Sequence, residues 1–373
     1  MQIGVPKDNS LYERRIAVTP DTVKKFIKAG HSVVIEQDAG RGSFITNEAL
    51  AEAGATIVGN AITGSDVVLT VNSLPAGQIS QLKPNAVVIG MMNPYRNEHL
   101  AEYAQQGASV YAMELLPRTL SRAQNMDVLS SQANLAGYKA VILAGNEYQR
   151  PFPMFMTSAG TVKPARVVIL GVGVAGLQAI ATARRLGAVV EASDLRPSVR
   201  DQVESVGGKW LDVPMSDEEK AKAKSTGGYA WTPSEQYIQD QAAVVDKAVS
   251  QADIVITTAQ VPGRNAPRLI HQATINKMKS GSVILDMAVE TGGNVEGSVV
   301  GQNVITDNGV TIMGVPNIPS TLAAQSSALY ANNLYNFFVT LVDDNKQFAL
   351  DPNEEIQKAL LVTHQGQVLL ATR

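Results

Sequence analysis
Apolar residues along this chain fall into two rhythms that take turns. Short, nearly continuous apolar runs at residues 2–5, 32–37, 66–71, 86–91 and 109–112 have the length and β-branched content of strands buried on both faces. Between them, residues 20–30, a segment ending near Gly54 and residues 98–106 repeat their apolar positions at helical spacing. Strand and helix in alternation predict a mostly parallel sheet covered on both faces, so residues 1 to about 125 form one α/β layer structure. A long helical stretch then runs from Val128 to about Gly145, and Pro151, Pro153, Gly160 and Pro164 punctuate the segment 148–164 after it.

The alternation returns from residue 165. The run 165–170 stops at Gly171, Gly173 and Gly176 follow at G-x-G-x-x-G spacing, and an alanine-rich segment continues with helical periodicity. Gly171 permits a tight turn, Gly173 lets the backbone approach a pyrophosphate and Gly176 lets the helix pack closely on its strand. Val174 and Ala175 open that helix, whose N-terminal N–H groups favour a bound phosphate. A second run, 188–194, ends on an acid at the expected distance of about twenty residues. Asp194 is placed to accept hydrogen bonds from an adenosine ribose and would repel the 2′-phosphate of NADP; Leu195 and Arg196 follow it at the same strand end. The alternative is a nucleotide-free turn of the same composition.

Next come a helix to Gly207, a polar insertion at about 214–233, a helix to about Gln251 and a strand at 254–258. Thr258, Ala259 and Gln260 stand where that strand leaves the sheet, and Gly263 would let the backbone approach NAD. A helix to Met278 and a strand at 282–286 complete a doubly wound sheet with its ligand crevice at the carboxyl ends of the strands. The segment 320–342 is helical and returns the chain to the first domain. The expected fold is therefore α/β, with two doubly wound, Rossmann-like parallel-sheet domains joined by long helices. Residues 1–127 with 325–373 form the first, and residues 128–324 form the NAD(H)-binding one. Within the insertion, the charges and glycines of 220–233 with Tyr229 and Trp231 read as a lid over bound nucleotide, or as a surface loop whose aromatics pack locally.

At 373 residues the chain is long enough for two cores. A formal charge of −3 with no Lys/Arg cluster argues against nucleic acid as a partner. The absence of cysteine excludes disulfides, thiolate zinc sites and a cysteine nucleophile. No export signal is read at the N-terminus, and no apolar run approaches the eighteen or so residues of a membrane span. His31, His99, His271 and His364 lack ligand spacing and read as scattered surface or capping residues, so no metal site is expected.

Over almost its full length the chain resembles the NAD(H)-binding component, domain I, of proton-translocating NAD(P) transhydrogenase, and more loosely alanine dehydrogenase. The resemblance is carried by residues 3–7, 13–20, 121–138, 292–294 and 325–330, and the block Arg122–Tyr138 speaks for the transhydrogenase side. It implies that Gln124 bonds the nicotinamide ribose and reaches toward the partner's NADP(H), that Arg118 meets the nicotinamide end of NAD, and that Asp127 with Ser130 holds the ring and its carboxamide. Asp127 alternatively serves only as a helix cap. The family spaces its arginine five residues before the glutamine, whereas Arg118 and Gln124 are six apart, so Arg122 remains a second choice; Arg118 follows the matching Pro117. Tyr229 is assigned to the lid.

Alanine dehydrogenase needs a group that exchanges a proton at the substrate carbon, and its lysine and histidine are matched here by Asn72 and Asn93, which cannot do so. Arg15 matches a substrate-carboxylate arginine and alternatively serves as an ion-pair residue. Hydride transfer between two nicotinamide rings needs no acid or base, only two rings held close with water excluded. The resemblance therefore implies a component that binds NADH and passes hydride to NADP⁺ on a separate NADP(H)-binding component. A membrane proton-channel component couples the transfer to proton movement, and the chain is a peripheral, homodimeric protein on the cytoplasmic side. An alanine-like dehydrogenase and a catalytically silent NAD-binding scaffold remain as alternatives.

Overall fold
The computed structural model describes residues 1–217, 219–221, 233–343, 345–351 and 353–370. It divides into two compact units, Met1–Gln132 with the residues from Pro319 on, and Ala133–Ile318. The first boundary lies a turn inside the Val128–Glu147 helix, not at its start. Its first turn belongs to the first unit because Val128 is buried in that unit's core and Gln132 bonds to Arg15 and Ser326.

In the first unit, β1 (Gln2–Val5), β2 (Ser32–Glu36), β3 (Thr56–Val58), β4 (Val67–Leu69), β5 (Val87–Gly90) and β6 (Ser109–Ala112) form a parallel sheet in the order β6-β5-β4-β1-β2-β3. Strand order reverses between β1 and β4, which opens a crevice at their carboxyl ends. Every residue of β4 and β5 is buried, as continuous apolar runs require. The Pro20–Lys28 helix begins where expected, with Thr19 and Thr22 in a reciprocal cap and Pro20 at the first helical position. Two pieces escaped the periodicity. β3 is only three residues long, and Leu361–His364 with Gln367–Val368 add an antiparallel pair next to β6.

The second unit contains a small antiparallel hairpin, β7 (Phe155–Thr157) and β8 (Gly160–Val162), inside the segment expected to be mere punctuation. Its main sheet comprises β9 (Arg166–Leu170), β10 (Val189–Ser193), β11 (Lys209–Trp210), β12 (Ile254–Thr257), β13 (Val283–Asp286), β14 (Asn303–Ile305) and β15 (Thr311–Met313), in the order β11-β10-β9-β12-β13-β15-β14. All pairs are parallel except β14 with β15. The reversal lies between β9 and β12, whose ends carry Gly171 and Thr258. The helix expected to end at Met278 shrinks to Gln272–Ile275. Pro267 cannot donate within a helix, and the amides of Leu269 and Ile270 both donate to the Asn294 carbonyl instead.

Candidate dinucleotide site
In the second unit, sequence and backbone agree at the turn after β9. Gly171 has φ of +95°, a conformation that favours glycine, and a Cβ there would lie 2.7 Å from Thr258 Oγ1. A Cβ on Gly176 would stand 2.0 Å from the Gly171 carbonyl oxygen, so only glycine lets the Val174–Arg185 helix lie this close to the turn. Gly173 differs: a Cβ there meets nothing within 4 Å. It is the N-cap of that helix, with no side-chain cap, and Val174 and Ala175 follow it into the first turn. This combination fits a pyrophosphate: donors without side-chain acceptors and open space over the backbone.

Asp194, just past β10, lies beside this turn. Its Oδ2 accepts from the Val172 amide at 2.7 Å, and its Oδ1 accepts from the Arg196 amide and Nε, each at 2.9 Å. Burial works to raise the Asp194 carboxyl, but the Arg196 guanidinium and the two amides outweigh it and hold its pKa below the ordinary range. Leu195 is exposed beside it. The Thr258 hydroxyl donates to the Gly171 carbonyl at 2.9 Å, joining the ends of β9 and β12. Ala259 is held at both backbone groups by the Asn294 side chain, and Gln260 donates to the Met287 carbonyl at 3.0 Å. Gly263 takes the left-handed φ of +71°. Thus Gly171, Gly173, Val174, Ala175, Gly176, Asp194, Leu195, Arg196, Thr258, Ala259, Gln260 and Gly263 all belong to the carboxyl-end loops of one sheet and the helix start there. Tyr229 and Trp231 lie outside the described residues, as does most of the expected lid.

Two supports of this crevice were missed in the sequence. Asp286 is fully buried at the end of β13 and accepts from Thr257 Oγ1 and the amides of Ala288, Asn294 and Val295, which fixes the loop carrying Asn294. Gly137 lies where a Cβ would come 2.1 Å from the Ala175 carbonyl oxygen, so the long helix presses on the fingerprint turn. An acid ending an apolar strand, and one glycine within a helix, are the signals that could have found them.

The remaining candidates lie in the first unit. Asp127 caps the Val128–Glu147 helix, its Oδ1 accepting from the Ser130 amide at 2.8 Å. The same carboxylate accepts from Ser130 Oγ at 2.6 Å and from Arg118 Nε at 3.1 Å, and Arg118 Nη2 donates to Ser130 Oγ at 2.7 Å. Capping and clustering therefore coexist at Asp127. Arg122 turns away to Glu354 and Glu355. Gln124 is exposed on the Ser121–Met126 3-10 turn, and among the described residues its side-chain amide makes no hydrogen bond.

Arg15 does not stand ready for a substrate. Its Nε and Nη2 hold Glu13 at 2.8 and 2.7 Å, its Nη1 donates to Gln132 at 3.0 Å, and the two charged side chains are at most 3% exposed. Asn72 donates to Glu13 and Asp8 beside this pair, at the edge of a cavity of about 540 Å³ between the loops after β1 and β4. Asn93 also lines the cavity, its amide held by Glu114, whose carboxyl burial pushes up against the backbone N–H groups it accepts. Lys7 and His99 share that cavity, so groups able to exchange a proton are present where the two asparagines alone were weighed. Among the histidines, His31 corrects the expectation of surface positions: it is buried edge-on to Phe338, with ring centroids 5.2 Å apart. Among the described residues, no three acidic or histidine side chains converge as metal ligands, and no helix is long and apolar enough to cross a membrane.

Comparison with known proteins agrees with these features. Residues 4–136 match the N-terminal domain model of the alanine dehydrogenase/PNT family, and residues 140–371 match its C-terminal domain model. The chain is 45% identical to the first portion of the NAD(P) transhydrogenase alpha subunit of Rhodospirillum rubrum, a separate polypeptide, across 99% of this chain and 98% of that protein. Among solved structures it is similar to a transhydrogenase from Sinorhizobium meliloti, with a TM-score of 0.89 and 44% identity over 99% of this chain and 100% of that one. An L-alanine dehydrogenase structure is more distant, with a TM-score of 0.79 and 26% identity over 99% of this chain and 97% of that one.

Proposed function
The chain belongs to the alanine dehydrogenase/PNT family, and from that premise we propose that it is the NAD(H)-binding component of an NAD(P) transhydrogenase. The observation that carries the proposal is the glycine turn at β9, open over Gly173 and flanked by the anchored Asp194, in a chain so similar to transhydrogenase alpha subunits. Gly173 and the first turn after it hold the pyrophosphate, Asp194 holds the adenosine ribose, and the loop Thr258–Gly263 lines the rest of the crevice. Bound NADH supplies the hydride, which passes to NADP⁺ carried by a separate NADP(H)-binding component. The residues of this chain bind, orient and exclude water, and no side chain is asked to move a proton. Arg118, Asp127 and Ser130 orient the nicotinamide end, Gln124 reaches the partner's coenzyme, and Tyr229 acts from the lid. A membrane component couples the transfer to proton translocation, with this chain peripheral on the cytoplasmic side.

The test is to mix the purified chain with a transhydrogenase NADP(H)-binding component and follow reduction of an acetylpyridine analogue of NAD⁺ by NADPH. Turnover that requires both proteins is expected. NADH binding without turnover would leave only a silent dinucleotide-binding scaffold. Gln124→Asn draws the amide back by one methylene, and hydride transfer in stopped flow should slow about tenfold with NADH affinity nearly unchanged. An unaltered rate would remove Gln124 from the transfer site. Lys7 and His99 in the first unit's cavity favour one second reading, an alanine-like dehydrogenase. Oxidation of NADH that depends on pyruvate and ammonia would establish it.

The hairpin β7–β8 supports a homodimer. Met154, Phe155, Met156 and Val162 are all exposed on or beside it, an apolar cluster of the kind that marks association surfaces. Met156→Lys should shift the sedimentation coefficient to that of a monomer at micromolar concentration. A dimer that persists would place the contact elsewhere.

A further inference from the structure
The acid at the end of β10 is already engaged by a residue that could recognise a different coenzyme. Arg196 turns back on Asp194: Nε donates to Oδ1 at 2.9 Å and Nη2 to Oδ2 at 3.1 Å. The same Nη2 donates to the Val172 carbonyl at 3.3 Å, and the Val172 amide donates to Asp194 Oδ2. The carboxylate is thus a hub between the fingerprint turn and the loop after β10, and it draws the guanidinium against that turn. Arg196 stays 33% exposed in this position, so solvent and any ligand at the strand end can reach it. A guanidinium fork is a phosphate-binding group, and a 2′-phosphate is what an NADP ribose would bring to this strand end.

We propose that Arg196 is a phosphate-binding residue held in reserve, and that the pair with Asp194, not the acid alone, sets the choice between NAD(H) and NADP(H). With Asp194 ionised, the fork is occupied by carboxylate and the crevice takes an unphosphorylated ribose. With the charge at residue 194 removed, the fork turns to the 2′-phosphate. If repulsion by Asp194 were the whole of the selectivity, its removal would admit a 2′-phosphate whether or not Arg196 were present, and this separates the two accounts. The inference rests on reading the crevice as a dinucleotide site.

Calorimetric titrations with NADH, 5′-AMP and adenosine 2′,5′-bisphosphate test it without the complete enzyme. The unaltered chain should bind NADH and 5′-AMP, and the bisphosphate more weakly. Asp194→Asn keeps one acceptor oxygen for the Val172 amide and should tighten the bisphosphate by about tenfold, the scale of one charge-assisted hydrogen bond. Adding Arg196→Ala should abolish that gain, and Arg196→Ala alone should produce none. A gain that survives in the double variant, or no gain in Asp194→Asn, overturns the role of Arg196 while the dinucleotide site stands. Absence of NADH and 5′-AMP binding in the unaltered chain would instead remove the site and the inference with it. Thermal melts identify any variant that fails to fold, and Asp194→Ser then carries the same comparison.

Discussion

Replacing Arg15 with methionine is expected to lower the unfolding free energy by about 3–5 kcal/mol, the cost of leaving a buried charge without its partner. The guanidinium and the Glu13 carboxylate are nearly sealed from solvent and joined by two hydrogen bonds, with Gln132 on a third donor. Burial works against the charged guanidinium, yet the bond to Glu13 and its field outweigh it and raise the Arg15 pKa. Methionine fills much of the volume but leaves the Glu13 carboxylate facing only Asn72, the neutral Gln132 and nearby backbone. The thermal midpoint should fall by roughly 10 °C. NADH titration at 10 °C should be unchanged if the dinucleotide crevice lies wholly in the other unit. A melt that does not move would show that Arg15 is free for a ligand, as in the dehydrogenase reading.

Gly176→Ala should cost about 2 kcal/mol of stability and about a hundredfold in NADH affinity. The added methyl group meets the Gly171 carbonyl oxygen at 2.0 Å, and that oxygen belongs to backbone fixed by β9 and by the Thr258 hydroxyl. Overpacking of this kind costs about 1–3 kcal/mol, and the better helix propensity of alanine returns at most about 1. The larger effect is on binding, since displacing the helix start by about 1 Å misaligns every N–H group meant for the pyrophosphate. Fluorescence titration with NADH measures the affinity and a denaturant curve the stability. Unchanged affinity would mean that the pyrophosphate does not lie on this turn.

Legibility in the sequence followed the range of each interaction. β1, β4, β5, β9, β10, β12 and β13 announce themselves as apolar runs because a central parallel strand is buried on both faces, and that demand is written residue by residue. The glycine fingerprint is legible for the same local reason: Gly171 and Gly176 answer to steric limits within a few residues of themselves. What failed was set at a distance. The stretch before Met278 has enough apolar residues for a helix, yet Asn294, far along the chain, takes its amides and holds Ala259 and Pro267. Leu361–His364 looks like any short apolar segment until it pairs beside β6.

The candidate site divides along the same line. Sequence by itself determined that this chain carries two strand-helix layer structures, a glycine turn fit for a dinucleotide, and an acid at the next strand end, because each is a pattern of neighbours. Only the tertiary structure decided that Arg118 rather than Arg122 joins Asp127 and Ser130, and that Arg15 is spent on Glu13. It also decided that Asp194 is shared with Arg196. Those outcomes depend on which charged groups meet once the chain has folded, and a charge carries no mark in the sequence of the partner it will find.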